Sequence, residues 1–137
     1  MSDALDRFVS AQDGVYERAL AELEAGHKRS HWMWFVFPQI AGLGMSATSQ
    51  HYAIASLDEA RAYLAHPILG PRLRECAAVV AASDTPSAEL LLGGIDAVKL
   101  RSSMTLFHRA DPEDPTFPAV LDKYFGGRPD AATDDRL

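Results

Sequence analysis

His31-Trp-Met-Trp-Phe-Val-Phe-Pro-Gln39 is the stretch of this chain whose reading decides the fold. Trp32 to Phe37 fits a short buried helix capped by Ser30, or a short strand, about equally well by composition. Pro38 disfavours the α conformation at Phe37. A strand would need a partner, however, and no second segment alternates apolar and polar residues. The helical reading is therefore taken, and the rest of the sequence agrees with it.

Upstream, Leu5, Phe8 and Val9, then Tyr16, Ala19, Leu20 and Leu23, recur at helical spacing. Asp13-Gly14 can split them into two pieces, and Gly26 stands where a left-handed C-terminal cap belongs. Downstream, Ser56-x-x-Glu59 is a capping-box signature opening a helix with Leu57, Ala60 and Leu64 inward, which closes at His66 because Pro67 cannot continue it. Gly70-Pro71 restarts a helix with proline at its first position and Leu73, Cys76, Ala77 and Val80 as its apolar stripe. Thr85-Pro86 and Thr116-Phe-Pro118 repeat the device before Ala88 to Leu92 and Ala119 to Phe125, and Gly93-Gly94 and Gly126-Gly127 end those helices. Between them, Ile95 to His108 places Ala97, Leu100, Met104 and Phe107 at intervals of three and four, one continuous buried face. The expectation is an all-α fold: a single compact irregular bundle of about six to seven short helices, forming one domain over 1–137, with 128–137 as a loosely docked C-terminal tail.

Composition sets bounds on function. A chain of 137 residues, 47% hydrophobic and 23% charged, can bury a core without disulfide or metal. The net charge of -6 argues against a nucleic-acid or anionic-membrane partner, since both require a clustered positive surface. The small basic cluster is His27-Lys28-Arg29, beside His31. One cysteine, Cys76, excludes an intramolecular disulfide and reads as an inert buried thiol. The Met1-Ser-Asp-Ala start lacks a signal region and no apolar run reaches membrane length, so the expected location is cytoplasmic.

The aromatic block has two readings. As a core plug, its rings carry hydrophobic burial, and each indole N–H needs an acceptor once buried. As a pocket wall, Trp32 or Trp34 stacks on a flat ligand, with Gln39, Ser46, Ser49 and Gln50 nearby for hydrogen bonds and Gly42 and Gly44 allowing close approach. Gly-Leu-Gly lacks the remaining features of a dinucleotide fingerprint. His27 and His31 could chelate at i, i+4 on one helix, but Gly26 and Ser30 oppose that helix and no acidic third ligand is placed, so no metal and no cofactor are expected. His31 is the best histidine for acid/base chemistry. Asp96, Lys99 and Ser103 share a helical stripe that reads as a solvated or ion-paired face, a ligand-contact face, or a lysine–serine dyad whose lysine would have to be desolvated. The acidic and proline-rich Asp111 to Pro115 is loop chemistry.

A longer pattern joins these pieces. Arg7-Phe-Val-x-Ala-Gln12, Ser30 to Gln39, Gly42-Leu-Gly44, Ser46-x-x-Ser49, Tyr52-Ala-Ile54, Tyr63-Leu-x-His-Pro67, Leu69-Gly-x-Arg-Leu73 and Lys99-Leu-x-Ser-Ser-Met-Thr-Leu-Phe107 together resemble the domain-of-unknown-function 1810 family over nearly the whole chain. The resemblance implies a single-domain helical fold and no particular activity. Members are sometimes labelled calpastatin, a disordered inhibitor, and a globular composition gives that label no physical support. Ser49-Gln-His-Tyr52 and Leu69-Gly-x-Arg-Leu73 are also similar, more faintly, to the NADAR family, thought to act on NAD and ADP-ribose derivatives. That family has a glutamate before its histidine where this chain has Gln50, and an amide cannot serve as general acid or base.

The functional expectation is a binder, or a hydrolase or transferase, of a small anionic or nucleotide-like ligand such as an ADP-ribose derivative. His31 is the acid/base candidate, with Trp32, Trp34, Gln39, Ser46, Ser49, Tyr52, Lys99 and Ser103 as ligand contacts. The alternative is a non-catalytic interaction or structural module in which the aromatic block is only core. A monomer or weak homo-oligomer is expected in either case.

Overall fold

The computed structural model describes residues 3–137, so Met1 and Ser2 of the start read for targeting signals lie outside the described residues. A 3-10 turn, Asp3–Leu5, leads into α1 (Asp6–Gln12), α2 (Tyr16–Glu24), α3 (Met33–Val36), α4 (Ala47–His51) and α5 (Leu57–Ala65). The chain continues through α6 (Leu69–Ala81), α7 (Ala88–Leu92), α8 (Gly94–Ala110), α9 (Thr116–Phe125) and α10 (Ala131–Asp134). The all-α reading holds, and six of these ten helices have seven residues or more. Two short ones, α4 and α10, have no counterpart in the sequence reading. Among the described residues, no helix is long and apolar enough to cross a membrane.

The helix starts follow the capping chemistry. Ser56 accepts the Glu59 N–H at 3.1 Å, and the Glu59 carboxylate accepts the Ala55 N–H at 2.9 Å. α6 begins at Leu69, so Pro71 is its third residue and not its first, and Pro118 stands likewise in α9. Both prolines remain in the first turn, where the missing N–H has no intrahelical acceptor to lose. Ser30 does not cap the aromatic helix: α3 starts at Met33 after Trp32, without any side-chain cap.

The central element is α8, which packs against α5, α7, α9 and α10. Its predicted face, Ala97, Leu100, Met104 and Phe107, is buried, but so are Ser102, Ser103 and Thr105. Two of these hydroxyls work for the C-terminus. Ser102 Oγ donates to Asp130 Oδ2 at 3.1 Å, and Thr105 Oγ1 accepts the Asp130 N–H at 2.8 Å. Thr133 is buried and donates to the same carboxylate, while Arg109 grips Asp134 through two bonds of 2.9 and 3.0 Å. The 128–137 segment, expected as a loosely docked tail, is mostly exposed and is tied to α8 by these polar contacts through Asp130, Thr133 and Asp134.

One extended contact matters for the site. Ile40 and Ile54 form a parallel bridge, with Ala41 N–H donating to Ile54 O and Ile54 N–H to Gln39 O, both at 2.8 Å. This closes residues 40–54, including α4, into a loop. Arg7 of α1 pins its far end by donating to the carbonyls of His51 and Ala53 at 2.8 and 2.7 Å.

Candidate functional site

The aromatic block is held from below by two polar anchors, one buried and one half-buried. Gln12, 2% exposed, donates to Phe35 O at 2.8 Å and to Tyr63 Oη at 3.2 Å. Glu22 of α2 accepts from Arg29 N–H (2.7 Å), Ser30 N–H (3.0 Å), Ser30 Oγ (2.6 Å) and Trp32 Nε1 (2.9 Å). Burial alone would raise the Glu22 carboxyl, but these four donors outweigh it and hold the group at about 2. Nothing in the sequence singles out Glu22, because its partners lie beyond the end of its own helix.

Trp32 is fully buried, with its N–H satisfied by Glu22 and Phe37 packed beside it. It belongs to the core and cannot stack on a ligand. Trp34 is half-buried and lines two hollows. The smaller, about 100 Å³, lies within the 40–54 loop, between Trp34 and the polar side chains of Gln39, Ser49, Gln50 and Tyr52. The wider, about 430 Å³, brings Trp34 together with His31 and Lys99, adds Lys28 and Asp96, and is also lined by Gly93 and Gly94 at the N-terminus of α8. The single pocket expected from the sequence is therefore two adjoining hollows with one shared wall.

Three candidates fall outside both. Ser46 is exposed and caps α4, accepting the Ser49 N–H at 3.1 Å and donating to Ser49 Oγ at 2.9 Å. Ser103 is sealed in the core with no hydrogen-bond partner among the described residues, so it forms no dyad with Lys99. Trp32 is the third. His31 is exposed at the rim of the wider hollow. The glycines admit protein groups: a Cβ on Gly44 would meet Ser49 Cβ at 2.4 Å, and one on Gly42, at φ +97°, would meet Arg136 Nε at 2.7 Å. Gln50 donates to Met45 O at 3.1 Å, a contact that braces the loop.

Electrostatically the two hollows differ. The smaller is lined by neutral side chains. In the wider one Lys28 Nζ lies 2.9 Å from Asp96 Oδ2 and Lys99 Nζ 3.7 Å from Asp96 Oδ1. Lys99 also sits 4.8 Å from the centroid of the Trp34 ring, a cation–π contact. Cys76 is remote from this chemistry, and burial pushes its thiol up to about 12, leaving it protonated at neutral pH.

Among solved structures, the chain is similar to the crystal structure of a conserved hypothetical protein from Mycobacterium tuberculosis. The two are 52% identical with a TM-score of 0.95, over 97% of this chain and 95% of that one. No curated protein matches it. The family model described as protein of unknown function (DUF1810) matches residues 2–137, and the all-helical architecture is shared with the solved structure. By that match over almost its entire length, the chain belongs to the DUF1810 family.

Proposed function

We propose that this protein binds a small anionic, nucleotide-like ligand, of which an ADP-ribose derivative is an example, in the hollows on either side of Trp34. The observation that carries this reading is the position of the Trp34 ring. It is the shared wall between a neutral, amide-lined recess and a recess holding Lys28, Lys99, His31 and the N-terminus of α8. A half-buried indole offers flat stacking area at little entropic cost, and backbone N–H groups at a helix start favour negative charge. Binding rather than catalysis is favoured, because Ser103 is sealed away, Lys99 is engaged by Asp96 and Gln50 lacks a titratable proton.

The test is a thermal-shift screen of ADP-ribose, AMP and phosphosugars, repeated on W34F and K99A. A ligand at a hundred times its dissociation constant adds ~2.7 kcal/mol. For a chain this size that raises the melting temperature by about 8 °C. Loss of the shift in W34F and K99A is the expected result, and no shift at millimolar concentration for any compound would overturn the reading.

The interaction-module reading has one observation in its favour. Ile95 and Val98, 77% and 64% exposed, stand on the first turns of α8 beside the wider hollow. Concentration-dependent sedimentation of the wild-type protein, abolished in I95S/V98S, would support it.

A further inference from the structure

The wider hollow is not uniformly cationic. A carboxylate stands inside it, between two ammonium groups. Asp96 contacts Lys28 through one oxygen at 2.9 Å and approaches Lys99 through the other at 3.7 Å. Each lysine lies over an indole, Lys28 5.2 Å from the Trp32 ring centroid and Lys99 4.8 Å from that of Trp34, so both heads are positioned by rings that the fold fixes. The three charged side chains are only 8%, 19% and 17% exposed for Lys28, Asp96 and Lys99 respectively. Charges this shielded from water interact more strongly than surface pairs, and the charge count of the recess is felt by whatever enters it.

Asp96 is the third residue of α8, where a carboxylate also meets the positive end of the helix dipole. Two ammonium groups against one carboxylate leave one positive charge uncompensated, supplemented by the helix start. A ligand group with a single negative charge balances that remainder. A group with two places its second charge against the fixed Asp96 carboxylate, because no third lysine or arginine lines the recess to receive it. Like charges at this range discriminate strongly, and a built-in repulsive group is a usual source of specificity.

We propose that Asp96 sets the charge class of the ligand: the recess accepts a singly charged anionic group, a phosphodiester or a carboxylate, and rejects a doubly charged phosphomonoester. This rests on the reading that the hollows beside Trp34 bind an anion. Asp96 is then a specificity-determining residue, and its pairing with the lysines holds them apart at the spacing a monoanion needs.

The experiment compares adenosine 3′,5′-cyclic monophosphate, with one negative charge, and AMP, with two at pH 8. Both are titrated by tryptophan fluorescence into full-length wild type, D96N and D96E. The wild type and D96E should bind the cyclic nucleotide at least about tenfold more tightly than AMP, and D96N should shrink or reverse that ratio by about tenfold. Since the ratio is read within each protein, a general loss of affinity does not imitate the effect, and D96S serves if D96N does not fold. Equal affinities or an AMP preference in the wild type, or an unchanged ratio in D96N, would overturn the role of Asp96 while leaving the site itself standing. Binding of neither nucleotide to any of the proteins would overturn both.

Discussion

Replacing Glu22 separates charge from hydrogen-bond geometry in the anchor beneath the aromatic block. Its Oε1 accepts three N–H groups, from Arg29, Ser30 and Trp32, while Oε2 accepts only the Ser30 hydroxyl. A glutamine with its carbonyl oxygen at the Oε1 position keeps all three N–H contacts, and the Ser30 hydroxyl can turn to accept from the new amide. E22Q therefore removes the charge and little else, whereas E22A also leaves the buried Trp32 N–H without an acceptor. The folded-state carboxyl sits at about 2 against an ordinary 4.5. That difference corresponds to ~3 kcal/mol before screening, and to about 2 kcal/mol once the partial exposure of Glu22 is allowed for. Because the folded value is the lower one, this stabilisation is complete above about pH 4.5 and drains away as the pH falls toward 2. Urea unfolding followed by tryptophan fluorescence in a W34F background, where Trp32 is the sole reporter, measures it directly. At pH 7, E22Q should cost about 2 kcal/mol and E22A about 1–3 kcal/mol more, from the orphaned donor. At pH 2 the E22Q penalty should nearly vanish while the extra E22A penalty persists. An E22Q cost below about 0.5 kcal/mol at pH 7, or one that is unchanged at pH 2, would refute the account.

Two further substitutions probe the polar groups buried along α8 and the segment they hold. S103A removes a buried hydroxyl that has no partner, so it should be neutral or stabilising by up to about 1 kcal/mol in thermal melts; a loss above that size would mean that the hydroxyl serves a group the fold does not show. D130A deletes the acceptor of Ser102 Oγ, Thr133 N–H and Thr133 Oγ, and should release 128–137 to rapid hydrogen exchange at a cost of about 1–2 kcal/mol, with α6 and α9 unaffected.

Long, regularly patterned segments were legible because their burial is apolar and periodic. The face of α8 through Ala97, Leu100, Met104 and Phe107 is one case, and the α5 capping box at Ser56 and Glu59 is another. The features that were not legible are polar contacts between residues distant in sequence. Asp130 reaches across 28 residues to Ser102, and Arg7 spans 46 to the carbonyl of Ala53. Neither leaves a mark in hydropathy, since an aspartate in a tail and an arginine in an amphipathic helix are ordinary surface residues until their partners are known. The prolines of α6 and α9 stand two residues further into their helices than the sequence predicts for a related reason. Any first-turn position lacks an acceptor for its N–H, so sequence alone does not distinguish the first residue from the third. The candidate site was half legible: Trp34, Gln39, Ser49, Tyr52, His31 and Lys99 all line one hollow or the other, whereas the two-hollow division depends on the Ile40–Ile54 bridge, a single pairing too short to show as alternation.

The choice between strand and helix for Trp32 to Phe37 decides more than the fold class. In a strand, residues i and i+2 point to the same face, so Trp32 and Trp34 would both be core or both be exposed. On a helix the same spacing turns the second side chain by roughly 200°, toward the opposite side. With Trp32 as the residue that leads into α3 and Trp34 within it, the block divides: Trp32 is fully buried over Glu22, while Trp34 is half-buried between the two hollows. The core and pocket-wall readings of the aromatic run are therefore compatible, each describing one of the tryptophans. The turn of α3 also explains why both lysines beside Asp96 find an indole to lie against: Lys28 meets the inward ring and Lys99 the outward one. Trp32 and the four-residue helix that follows it thus supply a core anchor and the wall shared by two hollows, and the 31–39 segment positions charge in the wider one although its own side chains carry almost none.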